Sequence, residues 1–226
     1  MLTLVLAESE LELIPKSLLN DSRILASAHR REKHPEEMIL DSSMHHGVMH
    51  NLPEQERRGR PDITHISLLV ALESILNKRE GLQIMIHTRN DEVIMIDPKT
   101  RIIKNFDRFL GLMEQLFQKK MLPDEEQPLL RLRTGVSLQK LIKEISSDYI
   151  IVCSTEGKPV HLPQFFSELK KEKHRNLLCI IGGFPKGVFH TDLSKDADQV
   201  ISIYPEMVPA WTVVAEVIVN YENTFL

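Results

Sequence analysis

The C-terminal half of the chain alternates short, unbroken apolar runs with segments of helical spacing, and few folds tolerate that pattern. Leu129–Leu132, Tyr149–Cys153, Leu177–Gly182 and Gln199–Ile203 read as strands. Val136–Ile145, Leu162–Lys171 and Trp211–Phe225 read as helices. A strand that is apolar at every position has both faces covered, and strand–helix alternation is the mark of parallel pairing. The pattern predicts an α/β fold built on a parallel sheet with helices on both faces.

The N-terminal half is less regular. Leu2–Leu6 reads as a buried strand, residues 14–31 carry near-helical apolar spacing, and Met38–Asp41 reads as a second short strand. Residues 42–59 show no period and read as a long loop, which inside a compact domain is usually functional. Pro61 opens a helix whose stripe includes Ile63, Ile66, Leu69, Val70, Leu72 and Leu76, and Gly81 closes it. Leu82–His87 and Val93–Asp97 flank a turn and predict a hairpin. Asp107–Lys119 predicts an amphipathic helix with Phe109, Leu112, Met113, Leu116 and Phe117 inward. Pro123, Asp124, Glu125, Glu126 and Pro128 read as a solvated connector.

At 226 residues the chain is expected to form one domain, 1–226, large enough to hold a core without staples. Cys153 and Cys179 sit in apolar runs and read as reduced thiols. The run before Glu8 and Glu10 has no positive flank, so it reads as a strand and not as a signal peptide. No apolar run approaches the ~20 residues of a membrane span. A cytoplasmic location with no membrane partner is expected. The net charge of −4 excludes a uniformly basic coat but allows a local patch.

Four groups of residues are candidates for chemistry. The first is the set of turns after apolar strands: Ser154-Thr155-Glu156-Gly157, Gly182–Gly187 and Tyr204-Pro205-Glu206. Ligands of open α/β sheets bind just past the carboxyl ends of strands. The glycine run lacks the spacing of a dinucleotide fingerprint or a phosphate loop, which disfavours those ligands. The second is Arg57, Arg58 and Arg60 at the mouth of the helix opened by Pro61. Arginine forks suit phosphate, and Asp62 is placed to orient Arg60. The third is Arg101, Lys104 and Arg108, spaced three and four apart so that a helix would gather them on one face. Spacing alone leaves ordinary turns and solvated charges open for all three. The fourth is His45, His46, His50 and His65, which lack partners at zinc-site spacing, so no metal is expected. No nucleophile elbow, HExxH or paired-carboxylate motif is present.

The segments HHGVMHNLPEQERRGRPDITHISLLVALES, IHTRNDEVIMIDPKTRIIKNFDRFLGLMEQLF, IGGFPKG and ISIYPE resemble, in order and over nearly the whole chain, the Nep family, also called Emg. Its members methylate N1 of a pseudouridine in small-subunit ribosomal RNA. The resemblance implies a SPOUT-class fold with a C-terminal trefoil knot, a homodimer, and S-adenosylmethionine as cofactor. It also implies that residues 45–120 include a family-specific RNA-binding loop, helix and hairpin extension. Carried over by motif, the cofactor positions are Thr155, Gly182, Gly187, Ile201, Ser202, Ile203, Tyr204, Pro205 and Glu206. The RNA positions are Arg60, Arg101, Lys104 and Arg108, and Arg60 with Asp62 is the expected catalytic pair. Two departures stand in the basic stretch, where the family reads closer to RIPRTFKRF. Lys104 keeps a charge without an arginine fork, and Asp107 sets an acid inside the patch.

Two other classes fit part of this sequence. A non-catalytic RNA-binding assembly factor would use the basic residues but has no need of glycine-rich turns at strand ends. A metabolic α/β enzyme would use Gly182–Gly187 for a small anion but leaves the arginines without a role.

Overall fold

In the computed structural model of the chain, residues 1–123 and 126–226 are described, so Asp124 and Glu125 of the expected connector lie outside the described residues. Among the described residues, eight strands and eight α-helices follow in chain order. The first half runs β1 (Leu2–Ser9), α1 (Ser22–Arg31), α2 (Ser42–Met49), α3 (Pro61–Leu72), α4 (Ile75–Lys78), β2 (Leu82–Thr88), β3 (Glu92–Ile96) and α5 (Phe106–Lys119). The second runs β4 (Met121–Leu122), β5 (Leu130–Thr134), α6 (Leu138–Glu144), β6 (Tyr149–Pro159), α7 (Leu162–Lys171), β7 (Leu177–Gly182), β8 (Gln199–Ser202) and α8 (Ala210–Phe225).

One sheet holds all eight strands in the order β4-β5-β3-β2-β1-β7-β6-β8. The run from β2 through β1, β7 and β6 to β8 is parallel. The hairpin strand β3 and its neighbours are antiparallel. The expectation of a parallel sheet therefore holds for the centre and for the C-terminal strands, but the strand expected at Leu129–Leu132 runs antiparallel. Its residues explain this: Leu130 and Leu132 are buried while Arg131 is exposed and Arg133 partly so, the alternation of a strand with one wet face.

The side-chain period of two divides the core between the faces of β1 and β7. Leu2, Leu4, Leu6, Leu177, Cys179 and Ile181 join the larger cluster with α3, α5, α7 and α8. Val5, Ala7, Leu178 and Ile180 face a smaller cluster closed by α6 and Leu193. A third cluster, from Ile14 to Leu52, sits beneath α1 and α2.

Three N-terminal expectations change. Met38–Asp41 forms only an isolated bridge, Ile39 against Leu13. Residues 14–31 split into a single turn at Lys16–Leu18 and the helix α1. The expected loop 42–59 begins as α2, because the Asp41 carboxylate accepts from Ser43 N–H and caps it. His45, Val48 and Met49 then face inward at helical spacing, so the period was present but short. The stripe expected on α3 is also broader: Thr64, Ser67 and Leu68 are buried, while Ile66, Leu69 and Val70 are only partly so.

α8 closes the larger cluster. Val214, Ile218 and Tyr221, together with Val213 and Val217, pack into the chain's own core. Among the described residues, no helix is long and apolar enough to cross a membrane.

Candidate active site

A cleft of about 630 Å³ opens at the carboxyl ends of β6, β7 and β8. Of the positions carried over by motif, Thr155, Gly182, Gly187, Ile201, Ser202, Ile203, Tyr204 and Glu206 line it. Pro205 is not among the lining residues; it stands in a turn that Ser202 Oγ fastens by donating to the Tyr204 carbonyl at 2.8 Å. Phe184 comes from the candidate glycine loop, but sequence reasoning missed the rest of the apolar wall, Val188, Phe189, Met207, Val208 and Val213. Cys153 also lines the cleft, half-buried, with its Sγ 3.6 Å from that of Cys179. Both thiols are free, and contact with Cys153 together with burial pushes the Cys179 thiol well above its ordinary range.

The expected turn Ser154–Gly157 stays within β6, which bulges between Cys153 and Lys158 and keeps its pairing with β8. A Cβ on Gly157 would stand 2.4 Å from the Ile201 carbonyl carbon, so only glycine allows β6 to press on β8 there. Gly187 adopts φ +88°, a backbone that favours glycine. A Cβ on Gly182 would meet the Phe184 ring at 2.6 Å. Its smallness lets Phe184 fold across the strand end, and its effect on the cleft is through that ring.

The arginine segment is divided by its partners. Arg57, expected in an exposed cluster, is buried. Its Nε donates to Glu10 at 2.9 Å, Nη2 to Glu8 at 2.6 Å and Nη1 to the Val188 carbonyl at 2.7 Å. Its guanidinium also lies 3.8 Å from the Phe184 ring centroid. Arg58 makes a two-pronged pair with Glu12 at 2.8 and 2.7 Å. Arg89, which the sequence reading did not single out, bridges Glu10 at 2.6 Å and Glu54 at 3.1 Å. Arg57 and Arg58 are thus internal struts and not free phosphate ligands. Burial opposes the charge on Glu8, but the His190 and Thr191 N–H groups and Arg57 hold its carboxyl below its ordinary value. Burial dominates at Glu10 and raises its pKa. Glu8, Glu10 and Glu12 alternate with uncharged residues in the sequence, but Glu8 takes a left-handed φ of +49° and β1 ends at Ser9, so the spacing alone does not announce the network.

Arg60 and Asp62 form the pair that sequence reasoning expected. Nε and Nη2 of Arg60 donate to the two Asp62 oxygens at 2.8 and 2.7 Å. Arg60 is the first residue before α3 and Asp62 lies in its first turn, so the helix start fixes both. About a third of each side chain is exposed, and the pair raises the Arg60 pKa further. Arg60 N–H donates to the Glu10 carbonyl at 3.1 Å, and Glu10 N–H donates to the Gly183 carbonyl at 3.1 Å. One residue of backbone therefore joins the arginine pair to the glycine loop of the cleft.

Arg101, Lys104 and Arg108 are exposed, but not on one helical face. Arg101 and Lys104 lie in the loop that precedes α5, and only Arg108 is in the helix. Asn105 caps α5 by accepting from Arg108 N–H at 2.9 Å, which ends the loop one turn later than the spacing suggested. His65 pins that loop: its Nε2 meets the Ile103 carbonyl at 2.8 Å, and its ring stacks on Phe109. His45 is buried, and the His50 ring contacts the Gly47 carbonyl. Among the described residues, no group of three or more His, Cys, Asp or Glu could hold a metal ion.

Residues 4–222 match the model of a family described as EMG1/NEP1 methyltransferase. The Nep1 ribosomal RNA small subunit methyltransferase of Methanothrix thermoacetophila is 46% identical over 226 residues, covering 100% of this chain and 97% of that protein. Its counterpart from Pyrococcus furiosus is 48% identical over 224 residues, covering 98% and 96%. The crystal structure of Archaeoglobus fulgidus Nep1 bound to S-adenosylhomocysteine superposes with a TM-score of 0.85 at 29% identity, covering 98% of this chain and 97% of that one.

Proposed function

We infer from one premise, that the chain belongs to the EMG1/NEP1 methyltransferase family, that it methylates small-subunit ribosomal RNA with S-adenosylmethionine and so acts in ribosome biogenesis. The observation that carries the reading is the joint between the two halves of the site. The cleft and the Arg60–Asp62 pair are tied through the backbone of Glu10. The finer proposal is that the acceptor is N1 of a pseudouridine.

The cleft suits the cofactor. Phe184, Met207, Val208 and Val213 offer apolar surface for an adenine, while Thr155, Ser202 and Glu206 offer polar groups for a ribose and an amino-acid moiety. When bound, S-adenosylmethionine supplies a methyl group on a positively charged sulfur. Gly182 and Gly187 line that space, and Gly157 lets β6 press on β8, whose Ile201 and Ser202 line it too.

The chain's own part is to bring up the base and manage charge. Pseudouridine N1 carries a proton, and as the proton leaves, negative charge spreads onto a neighbouring carbonyl oxygen. Arg60, held by two bonds from Asp62, stabilises that charge where it develops. Asp62 orients the guanidinium or accepts the proton, and both roles suit a half-exposed carboxylate. The base leaves its stack to reach the pair. Arg101, Lys104 and Arg108 draw in the phosphate backbone. We further propose that the close approach of β6 to β8 at Gly157 belongs to a trefoil knot, that residues 45–120 hold the RNA-binding extension, that two copies form the working unit, and that it acts in the cytoplasm.

The competing reading is a non-catalytic RNA-binding assembly factor. Calorimetry with S-adenosylmethionine, followed by mass analysis of an incubated pseudouridine stem-loop, decides. Cofactor binding and one added methyl group on the pseudouridine are expected. RNA binding with neither leaves the assembly factor.

A further inference from the structure

The loop that forms one wall of the cofactor cleft has little structure of its own. Phe184, Gly187, Val188 and Phe189 line the cleft from it. The end of β1 fastens the loop at both roots. Gly183 N–H donates to the Ala7 carbonyl at 2.7 Å, and the His190 and Thr191 N–H groups donate to the Glu8 carboxylate at 2.9 and 2.8 Å. Between these roots, among the described residues, the Val188 carbonyl is the only backbone group from Phe184 to Phe189 that has a hydrogen bond, and its donor is Arg57 Nη1. A segment with so few bonds opens at little cost, so that one donor sets its posture.

Arg57 does not line the cleft; it stands behind the wall. Its guanidinium lies 3.8 Å from the Phe184 ring centroid, and Nη1 would be the nearest atom to a Cβ on Gly187, at 3.8 Å. The turn that carries Arg57 is closed by its own N–H, which donates to the Glu54 carbonyl at 2.9 Å. That turn meets the loop twice more: Glu54 Oε1 lies 3.0 Å from His190 Nε2, and Glu56 pairs with Lys186. On its other side Arg57 Nε donates to Glu10, whose carbonyl accepts the Arg60 N–H. One buried side chain therefore touches both the cleft wall and the anchor of Arg60.

We propose that Arg57 is a positioning residue for methyl transfer: it clasps the loop Gly183–Thr191 against the turn Glu54–Arg57, so that cofactor bound in the cleft also orders the segment that carries Arg60. This rests on the methyltransferase reading above. A ligand that stills the inner side of the loop stills Val188, and the order passes on through the fork that holds its carbonyl.

The test uses the full chain, S-adenosylhomocysteine and amide hydrogen exchange. In the wild type the ligand is expected to slow exchange in residues 183–191 and also in residues 54–60, none of which lines the cleft. Arg57→Lys keeps the charge that Glu8 and Glu10 require but gathers its donors on one nitrogen, which releases Val188. Ligand affinity then falls about tenfold, the scale of one lost charge-assisted hydrogen bond. Residues 183–191 of the free variant exchange faster, the sheet centre at β1 and β2 exchanges as before, and ligand no longer protects residues 54–60. Unchanged ligand affinity in Arg57→Lys overturns the proposal. Faster exchange throughout the sheet also overturns it, because Arg57 is then a strut of the fold alone. Should Arg57→Lys not fold, the wild type judges: protection confined to residues 183–191 means that there is no clasp. Absence of ligand binding by the wild type would instead overturn the methyltransferase reading, and the exchange rate of the free loop in Arg57→Lys would still decide on the clasp.

Discussion

Two neighbouring regions at the carboxyl edge of the sheet are held by opposite kinds of force. Around β6, β7 and β8 the cleft is walled by Phe184, Val188, Met207 and Val213 and shaped by glycines. At the end of β1, Glu8, Glu10 and Glu12 grip Arg57, Arg58 and Arg89 in a network of ion pairs that is mostly buried. Apolar burial is non-directional, so it decides which strands meet but leaves side-chain aim loose. Charge-assisted bonds to an arginine fork have strict geometry. The chain uses the first to build its cleft and the second to hold the segment that carries Arg60, whose backbone is anchored on Glu10.

Removing a strut from the ionic side should have the largest effect. Arg57→Met keeps an apolar stem under Phe184 but leaves Glu8 and Glu10 short of a partner. Breaking such a buried pair costs about 3–5 kcal/mol, to be read from urea unfolding. A loss below about 1 kcal/mol would show the network to be an ornament of the fold and dissolve the contrast. Next comes the aimed residue itself. Arg60→Ala should lower the single-turnover methylation rate at saturating RNA by about 100- to 1000-fold while cofactor affinity holds. Asp62→Asn should give a smaller fall if Asp62 only orients Arg60. If it accepts the proton, the fall should match that of Arg60→Ala and the residual rate should climb with pH. An Arg60→Ala variant changed only in RNA affinity would make Arg60 a docking group. The smallest effects belong to the exposed loop. Arg101→Ala and Arg108→Ala should each weaken RNA binding and reduce the salt slope by about one unit, with the rate at saturation unchanged.

The same contrast explains what the sequence made legible. Apolar runs announce themselves, so β7, α7 and the hairpin β2–β3 fall where the pattern places them. The cleft followed from the strand ends and the family motifs. The α2 helix was hidden because only His45, Val48 and Met49 mark its buried side, and two histidines and a glycine blur the period. Arg57 was misread because a charged run looks solvated unless its partners are known. Those partners lie at Glu8 and Glu10, 49 and 47 residues away in sequence. Glu114 shows the same limit: it sits buried on α5 and holds Arg31, Lys33 and the Ile39 N–H, which no local spacing could announce. Local pattern reveals elements, and long-range charge pairing becomes visible only in three dimensions.

The place of β1 has a consequence for how the molecule comes into being. This first strand lies inside the sheet, between β2 and β7, with Leu2 paired to both Leu82 and Leu177. During synthesis at ~5–20 residues per second, its β7 edge stays open for many seconds after β2 has emerged. Every residue of that strand is buried in the finished fold, so in the interval it is a bare, apolar template for any other chain. Such long-range closure folds slowly. Assembly of the sheet is therefore completed from the back of the chain to the front, and the growing protein is most exposed to aggregation before Leu177–Gly182 has arrived.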